Sequence, residues 1–183
     1  MLFSTATIHY VALLLAARAV AAPTTIDGFE PTVRHVCYDE TQKLHCYSGG
    51  SDIPQDVKVE DVQFIANYLR AYGRETRIGR LFTMKASDAP DCGEWSLYVR
   101  GTAAAYAKKI DLTYDSSILF SDIANTIDGN KNATADSLLK CKTDGGSFGA
   151  QIADVAAPAY KTKEYIDGGF KPSGILIKIV ANK

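Results

Sequence analysis

Few side chains in this sequence can move a proton near neutral pH. General acid–base chemistry most often recruits histidine, and the histidines are His9, His35 and His45. His9 falls in an apolar leader, while His35 and His45 flank Cys37 and Cys46. Hydrolysis of RNA needs His, Glu and Arg to converge on a phosphate. Glu40, Glu75, Glu94 and Arg77 are available for that, but no spacing gathers them around either histidine. The simpler reading of both histidines is a strand or surface position. A serine nucleophile needs a G-x-S-x-G elbow between strand and helix, and Gly146-Ser147-Phe148-Gly149 does not supply it. The pairs Gly49-Gly50, Gly145-Gly146 and Gly168-Gly169 open no helix, so they read as turns and not as phosphate cradles. Lys108-Lys109 reads as the charged start of a strand, with a dibasic processing site as the alternative. The pattern calls for no cofactor, and it points away from an enzyme.

The cysteines speak to compartment. Cys37, Cys46, Cys92 and Cys141 lie 9, 46 and 49 positions apart, without the paired short spacings of a zinc site. An even number in an oxidising compartment implies disulfides. Residues 1–21 read as a cleavable signal peptide: an apolar run through Leu13-Leu14-Leu15 is followed by Ala19-Val20-Ala21, an A-x-A cleavage signature. The run is broken by Arg18 and is too short to span a bilayer, which takes roughly 20 apolar residues. Residues 22–32 read as a loose polar leader and 33–183 as a single domain. With Arg18 removed the chain carries 19 Lys and Arg against 21 Asp and Glu, a net charge of −2. That is no electrostatic footprint for nucleic acid, and no second apolar run is long enough for a membrane span. Asn132-Ala133-Thr134 is an N-glycosylation sequon.

The elements that must carry these residues follow from periodicity. Val33–Cys37 reads as a short strand. Val62, Ile65, Ala66, Leu69 and Tyr72 repeat at helical spacing, giving a helix over 57–72 capped by Asp56 and ended by Gly73. Leu81–Met84 reads as a strand. Trp95, Leu97 and Val99 alternate with Ser96, Tyr98 and Arg100, the pattern of a half-buried strand. Another strand is expected over 108–114. Leu119, Phe120, Ile123, Ala124 and Ile127 form the apolar face of a second helix over 116–128, capped by Ser116 and ended by Gly129. Strands at 137–142 and 148–155 would form a hairpin through Asp144-Gly145-Gly146, residues 156–174 a loop, and Ile175–Val180 a last strand. The order implies an α+β two-layer sandwich, disulfide-stapled, with two helices packed on one face of a mainly antiparallel sheet.

The segment from Cys37 to Ile152 resembles the necrosis-inducing "extracellular protein two" effectors of fungi, and more distantly the killer toxins of the smut-virus four type. Cys37 opens the domain. Asp61-Val62-Gln63-Phe64-Ile65-Ala66 falls on the first helix, where the family has an Asp-Cys start and an Ile-Ala pair. Cys92-Gly93-Glu94-Trp95-Ser96-Leu97 matches a cysteine before a strand, and Ser121–Ile127 matches the second helix, followed by Lys140-Cys141. The family's helix-one cysteine is Val62 here, and Cys46 is additional. The resemblance implies a two-helix α+β sandwich secreted by a fungus. It would act without catalysis on a host or competitor protein or a cell-wall component, with plant cell death as one outcome. Of the three possible disulfide pairings, the killer-toxin resemblance implies Cys37–Cys141 with Cys46–Cys92. Two other functions stay open. One is a secreted hydrolase such as a ribonuclease, which a pocket holding His35 or His45 beside a carboxylate would favour. The other is an inhibitor or glycan-binding module, with Tyr106, Tyr160 or Tyr165 as stacking surfaces.

Overall fold

Three alanines decide how closely the helices approach the sheet. Ala103, Ala105 and Ala107 alternate along strand β4 (Ala103–Lys109) and are fully buried. Their short side chains let helix α1 (Val59–Gly73) come down onto the strand. The computed structural model describes residues 40–130 and 136–183, which fall within one compact unit. The signal peptide, the leader, the strand at 33–37 with His35 and Cys37, and the Asn132 sequon lie outside the described residues.

The remaining elements are β1 (His45–Cys46), β2 (Leu81–Met84), β3 (Glu94–Arg100), β5 (Ser116–Leu119), α2 (Phe120–Asp128), β6 (Gly146–Gly149), α3 (Lys163–Asp167) and β7 (Ile175–Ala181). A five-stranded sheet runs β1-β6-β7-β4-β3 with every pairing antiparallel, and β2 pairs with β5 in a separate antiparallel ribbon. Helices α1 and α2 pack on each other and on one face of the larger sheet. Between them Ile65, Leu69, Ile123 and Ile127 meet Ile175, Ile177 and Ile179 of β7, all essentially inaccessible. Each such side chain contributes on the order of 1.5–3 kcal/mol by leaving water. The α+β sandwich with two helices on one face is what the chain forms.

Several local expectations change. Asp56 does not cap α1: it sits upstream with a positive φ of 60°. The cap is tertiary instead. Thr102 Oγ1 accepts from the Lys58 N–H at 2.7 Å, and the Asp61 carboxylate accepts from the Thr102 N–H and hydroxyl at 2.8 and 2.9 Å. The strand expected over 108–114 runs over 103–109, because a buried central strand tolerates an alanine run that strand propensity disfavours. Ser116 caps nothing. It begins β5, and α2 starts four residues later, so one apolar run serves a strand and a helix in turn. Gly129 ends α2 in the left-handed conformation, as expected. No strand forms over 137–142. Leu138–Asp144 is a 3-10 segment kinked at Lys142, so no hairpin precedes β6, which pairs with β1 and β7.

The disulfide expectation is corrected as well. Cys46 is joined to Cys141, with Cα atoms 5.1 Å apart, and Cys92 is itself disulfide-bonded. Cys46 lies on β1 and Cys92 lies two residues before the start of β3, the two strands being opposite edges of the five-stranded sheet. Four inter-strand steps of about 4.8 Å put those edges roughly 19 Å apart, far beyond the 7 Å a disulfide spans. The 3-10 turn carries Cys141 back over Gly146, the partner of Cys46 across β1 and β6. A Cβ on Gly146 would stand 3.0 Å from Cys141 Sγ and 2.5 Å from the His45 carbonyl, so only glycine fits beneath the bridge.

Candidate functional site

Strand β3 is an edge strand seven residues long, and it does not keep a strict alternation. Its register against β4 slips between Ser96 and Tyr98, with Leu97 as the extra residue of a β-bulge. Before the bulge Trp95 faces the helices, opposite Ala107; after it Tyr98 and Arg100 do, opposite Ala105 and Ala103. The simple alternation would have sent Tyr98 and Arg100 away from the helices and Val99 inward. Val99 instead lies 42% exposed. Bulges commonly re-aim side chains in this way.

The turned side chains meet a second stripe on α1. Phe64, Tyr68 and Tyr72 recur every four residues beside the buried row of Val62, Ile65, Ala66 and Leu69. Tyr98 stacks on Tyr68 with ring centroids 3.8 Å apart and on Phe64 at 6.4 Å, and Tyr68 stacks on Tyr72 at 6.4 Å. Tyr72 meets Phe120 edge-on at 4.9 Å, which anchors the row to the start of α2. A groove of about 260 Å³ runs between them, lined by Tyr68, Leu69, Tyr72, Leu97, Tyr98 and Phe120. Phe64 is 41% and Tyr68 39% exposed.

Both ends of the row carry an arginine. The Arg100 guanidinium lies 4.3 Å over the Phe64 ring, and that of Arg80 lies 4.1 Å over Tyr72. Arg80 also donates to the Tyr72 hydroxyl at 2.7 Å and to Glu75 at 2.8 Å. The turn after α1 is closed by the Arg80 N–H on the Gly73 carbonyl at 2.9 Å and presents Arg74 and Arg77 as exposed side chains. Neither of these enters an ion pair with a described residue. The groove lining holds no carboxylate. Of the acids nearest it, Glu75 is held by Arg80, and Asp61 is held below its ordinary range by its backbone and hydroxyl bonds from Thr102.

The other face of the sheet gathers the residues weighed for catalysis. His45 Nε2 lies 2.9 Å from Asp52 Oδ2, and both line a cavity of about 260 Å³ with Glu40, Thr41, Tyr47 and Ser147. Ser147 stands opposite His45 across β1 and β6. Serine, histidine and aspartate thus line one pocket, but they are not linked as a catalytic triad requires. His45 is bonded to Asp52, while Ser147 is engaged by the Tyr47 hydroxyl. Glu40 is bound by Lys108 at 2.7 Å and Lys178 at 3.5 Å, and Glu94 by Lys178 at 2.7 Å. Burial pushes the Glu40 carboxyl up, but the Lys108 hydrogen bond and the two lysine charges outweigh it and hold the group below its usual range. Glu75 and Arg77 belong to the turn after α1, and no arginine lines the His45 cavity. Among the described residues no group of three or more His, Cys, Asp or Glu is placed to hold a metal, and no helix is long and apolar enough to cross a membrane.

Lys108-Lys109 is not a charged strand start. The pair ends β4, with Lys108 6% and Lys109 0% exposed, closed to a processing protease in the folded chain. Tyr160 and Tyr165 offer no stacking surface. Both are buried, with their hydroxyls donated to Asp122 at 2.6 Å and to the Ser117 carbonyl at 2.9 Å, and Tyr106 is half-buried. Among the described residues the exposed phenylalanine and tyrosine rings are Phe64 and Tyr68, which the sequence reading passed over. Their four-residue recurrence with Tyr72 was the available signal. Comparison of the chain with family models, with curated proteins and with solved structures finds no match.

Proposed function

We propose that this chain is a secreted effector or toxin-like protein that acts on a host or competitor by binding, without catalysis. The observation that carries the reading is the bulge in β3. It turns Tyr98 and Arg100 onto the helix side and completes an exposed aromatic row with arginine at both ends. Tyrosine, phenylalanine and arginine are the residues enriched where proteins recognise partners. The Cys46–Cys141 disulfide suits an oxidising compartment, and the A-x-A leader and the resemblance to fungal necrosis-inducing effectors point the same way. Purified protein infiltrated into plant leaves, alongside an antifungal growth assay, tests the proposal. Cell death or growth inhibition that survives His45→Ala and is lost in Tyr68→Ala is the expected result. Inactivity in both assays would overturn it.

One observation favours a second reading, a secreted hydrolase such as a ribonuclease: His45 and Asp52 are paired in a cavity that Glu40 and Ser147 also line. RNA cleavage by the purified protein that disappears in His45→Ala would promote that reading over the first.

A further inference from the structure

We propose that the groove between α1 and β3 binds an extended, carboxylated oligosaccharide, a chain of uronate sugars. This rests on the reading of the protein as an extracellular binder and names what the aromatic row takes. The ring planes are nearly parallel, 7° between Tyr68 and Tyr72, 22° between Tyr68 and Tyr98 and 25° between Phe64 and Tyr98. Phe64 and Tyr68 are the exposed members of the row, with Tyr72 and Tyr98 half-buried beside them. Tyrosine suits a ligand that is apolar on one side and hydrogen-bonding on the other, and a pyranose ring has that character, with C–H faces and a hydroxyl rim.

Charge selects among sugars. The Arg100 guanidinium lies at one end of the row, Arg74 and Arg77 are exposed in the turn beside Tyr72 at the other, where Arg80 is taken up by Glu75, and the lining has no carboxylate to repel an anion. Arginine binds carboxylates in bidentate geometry, and a uronate chain repeats one carboxylate per ring. Length selects an oligomer over a single sugar. From Phe64 to Tyr72 is eight residues of helix, about 12 Å at 1.5 Å per residue, and the arginines stand over the rings at the two ends. A ligand that reaches from Arg100 to Arg74 or Arg77, just past Tyr72, must span more than that. Single-stranded nucleic acid also carries negative charge, but its binders stack the bases face-on upon aromatic rings, and the faces of Tyr68 and Tyr98 are already stacked on each other.

The test is calorimetric titration of the full secreted protein with a tetramer of galacturonic acid. The controls are the monomer, a neutral cellulose tetramer, an oligothymidylate and an acidic proline-rich peptide. The tetramer should bind at least about tenfold tighter than the monomer and than the neutral tetramer, and added salt should weaken it. Arg100→Gln, at an exposed position, should lower affinity about tenfold while the denaturation midpoint stays at the wild-type value, and Phe64→Ala should lower affinity about tenfold with a small fall in the midpoint from its lost stacking on Tyr98. No binding of the acidic tetramer overturns the proposal. So does equal binding of the neutral one, tighter binding of the oligothymidylate or the peptide, or binding unchanged in both variants. The outcome is separable from the proposed function: a protein inert on leaves and fungi can still bind the tetramer, and an active one can fail to.

Discussion

Lys109 is charged, buried and central, and its removal gives a test worked through from the structure. The side chain ends β4 at 0% exposure. Its ammonium donates to the Asp111 carbonyl and, at 2.6 Å, to Ser116 Oγ, and it lies 4.7 Å over the Tyr114 ring. Ser116 passes its own proton to the Ser173 carbonyl at 2.5 Å, so one lysine ties β4 to β5 and to the segment before β7. Burial pushes the Lys109 amine down from 10.5 to about 8, against the pull of Asp111 and Asp115. Because the folded value is the lower one, the unfolded chain holds the extra proton between about pH 8 and 10.5. Stability must therefore rise with pH across that window, by up to about 1.4 kcal/mol per pH unit. The full gap is worth about 3 kcal/mol, and residual solvation of the amine brings the expectation to about 2–3 kcal/mol.

Lys109→Met keeps the apolar stem and removes the titrating group. At pH 7 the variant should lie within about 1 kcal/mol of wild type, since loss of a buried charge offsets loss of its hydrogen bonds. By pH 10.5 the wild type should have gained its 2–3 kcal/mol on the variant. Urea unfolding followed by the fluorescence of Trp95, the single tryptophan, measures both proteins from pH 7 to 10.5. All other titrations cancel in the difference. A difference flat to within about 0.5 kcal/mol across that range, near the precision of the method, would refute the reasoning, as would a wild-type advantage that shrinks as pH rises.

The tyrosines act in the opposite sense. Burial pushes the Tyr165 hydroxyl up to about 12 and that of Tyr160 higher still. Above pH 10 the unfolded chain ionises them while the folded chain does not, so wild-type stability should turn over near pH 10 and fall beyond it, and denaturation midpoints locate the turn. Tyr160→Phe leaves the Leu119 N–H and the Asp122 carboxyl without the hydroxyl that serves both, and it should cost about 2–3 kcal/mol by urea unfolding at pH 7. Glu40 is held low, so its contribution should be lost as pH falls through the folded value, below the 4.5 of the free group; Glu40→Gln should flatten the acid limb of the stability curve. Non-reducing peptide mapping should return a Cys46–Cys141 peptide, with Cys92 joined to Cys37, the one other cysteine in the sequence. The Cys46–Cys141 bridge closes a separation of 95 residues, worth on the order of 4–5 kcal/mol in the chain-entropy model. Cys46→Ser should therefore leave a protein that is secreted poorly or is quickly proteolysed.

Where one periodicity ran unbroken, the sequence was readable. The i, i+3, i+4 pattern from Val62 to Leu69 placed α1 to within two residues at either end, and the β-branched run at 175–180 placed β7. Where two elements shared one apolar run, it was not. Ser116 to Ile127 reads as one helix, yet the chain pairs its first four residues with β2 before turning helical. The alanines of β4 carry no strand propensity, and only the crowding of α1 against the sheet centre explains them. The error in the disulfides came from geometry the sequence does not encode: which cysteines share an edge depends on the strand order β1-β6-β7-β4-β3.

The candidate site was illegible for a related reason. A bulge adds one residue to a strand and reverses the sense of everything after it, and Trp95–Arg100 alternates cleanly with or without it. Its presence on β3 has a structural explanation, since a long edge strand invites pairing with another chain and bulges blunt such edges. The two edges of this sheet are handled differently. β1 is two residues long and is stapled by Cys46, whereas β3 runs seven residues and is bulged. Edge protection alone asks for a charge or a twist, and Arg100 supplies the charge. It does not ask for Phe64 and Tyr68 to stand about two-fifths exposed beside Tyr98, because open apolar surface next to an edge works against protection. The bulge therefore accounts for the blunted edge, and the exposed rings it meets are the part that the proposed ligand would account for.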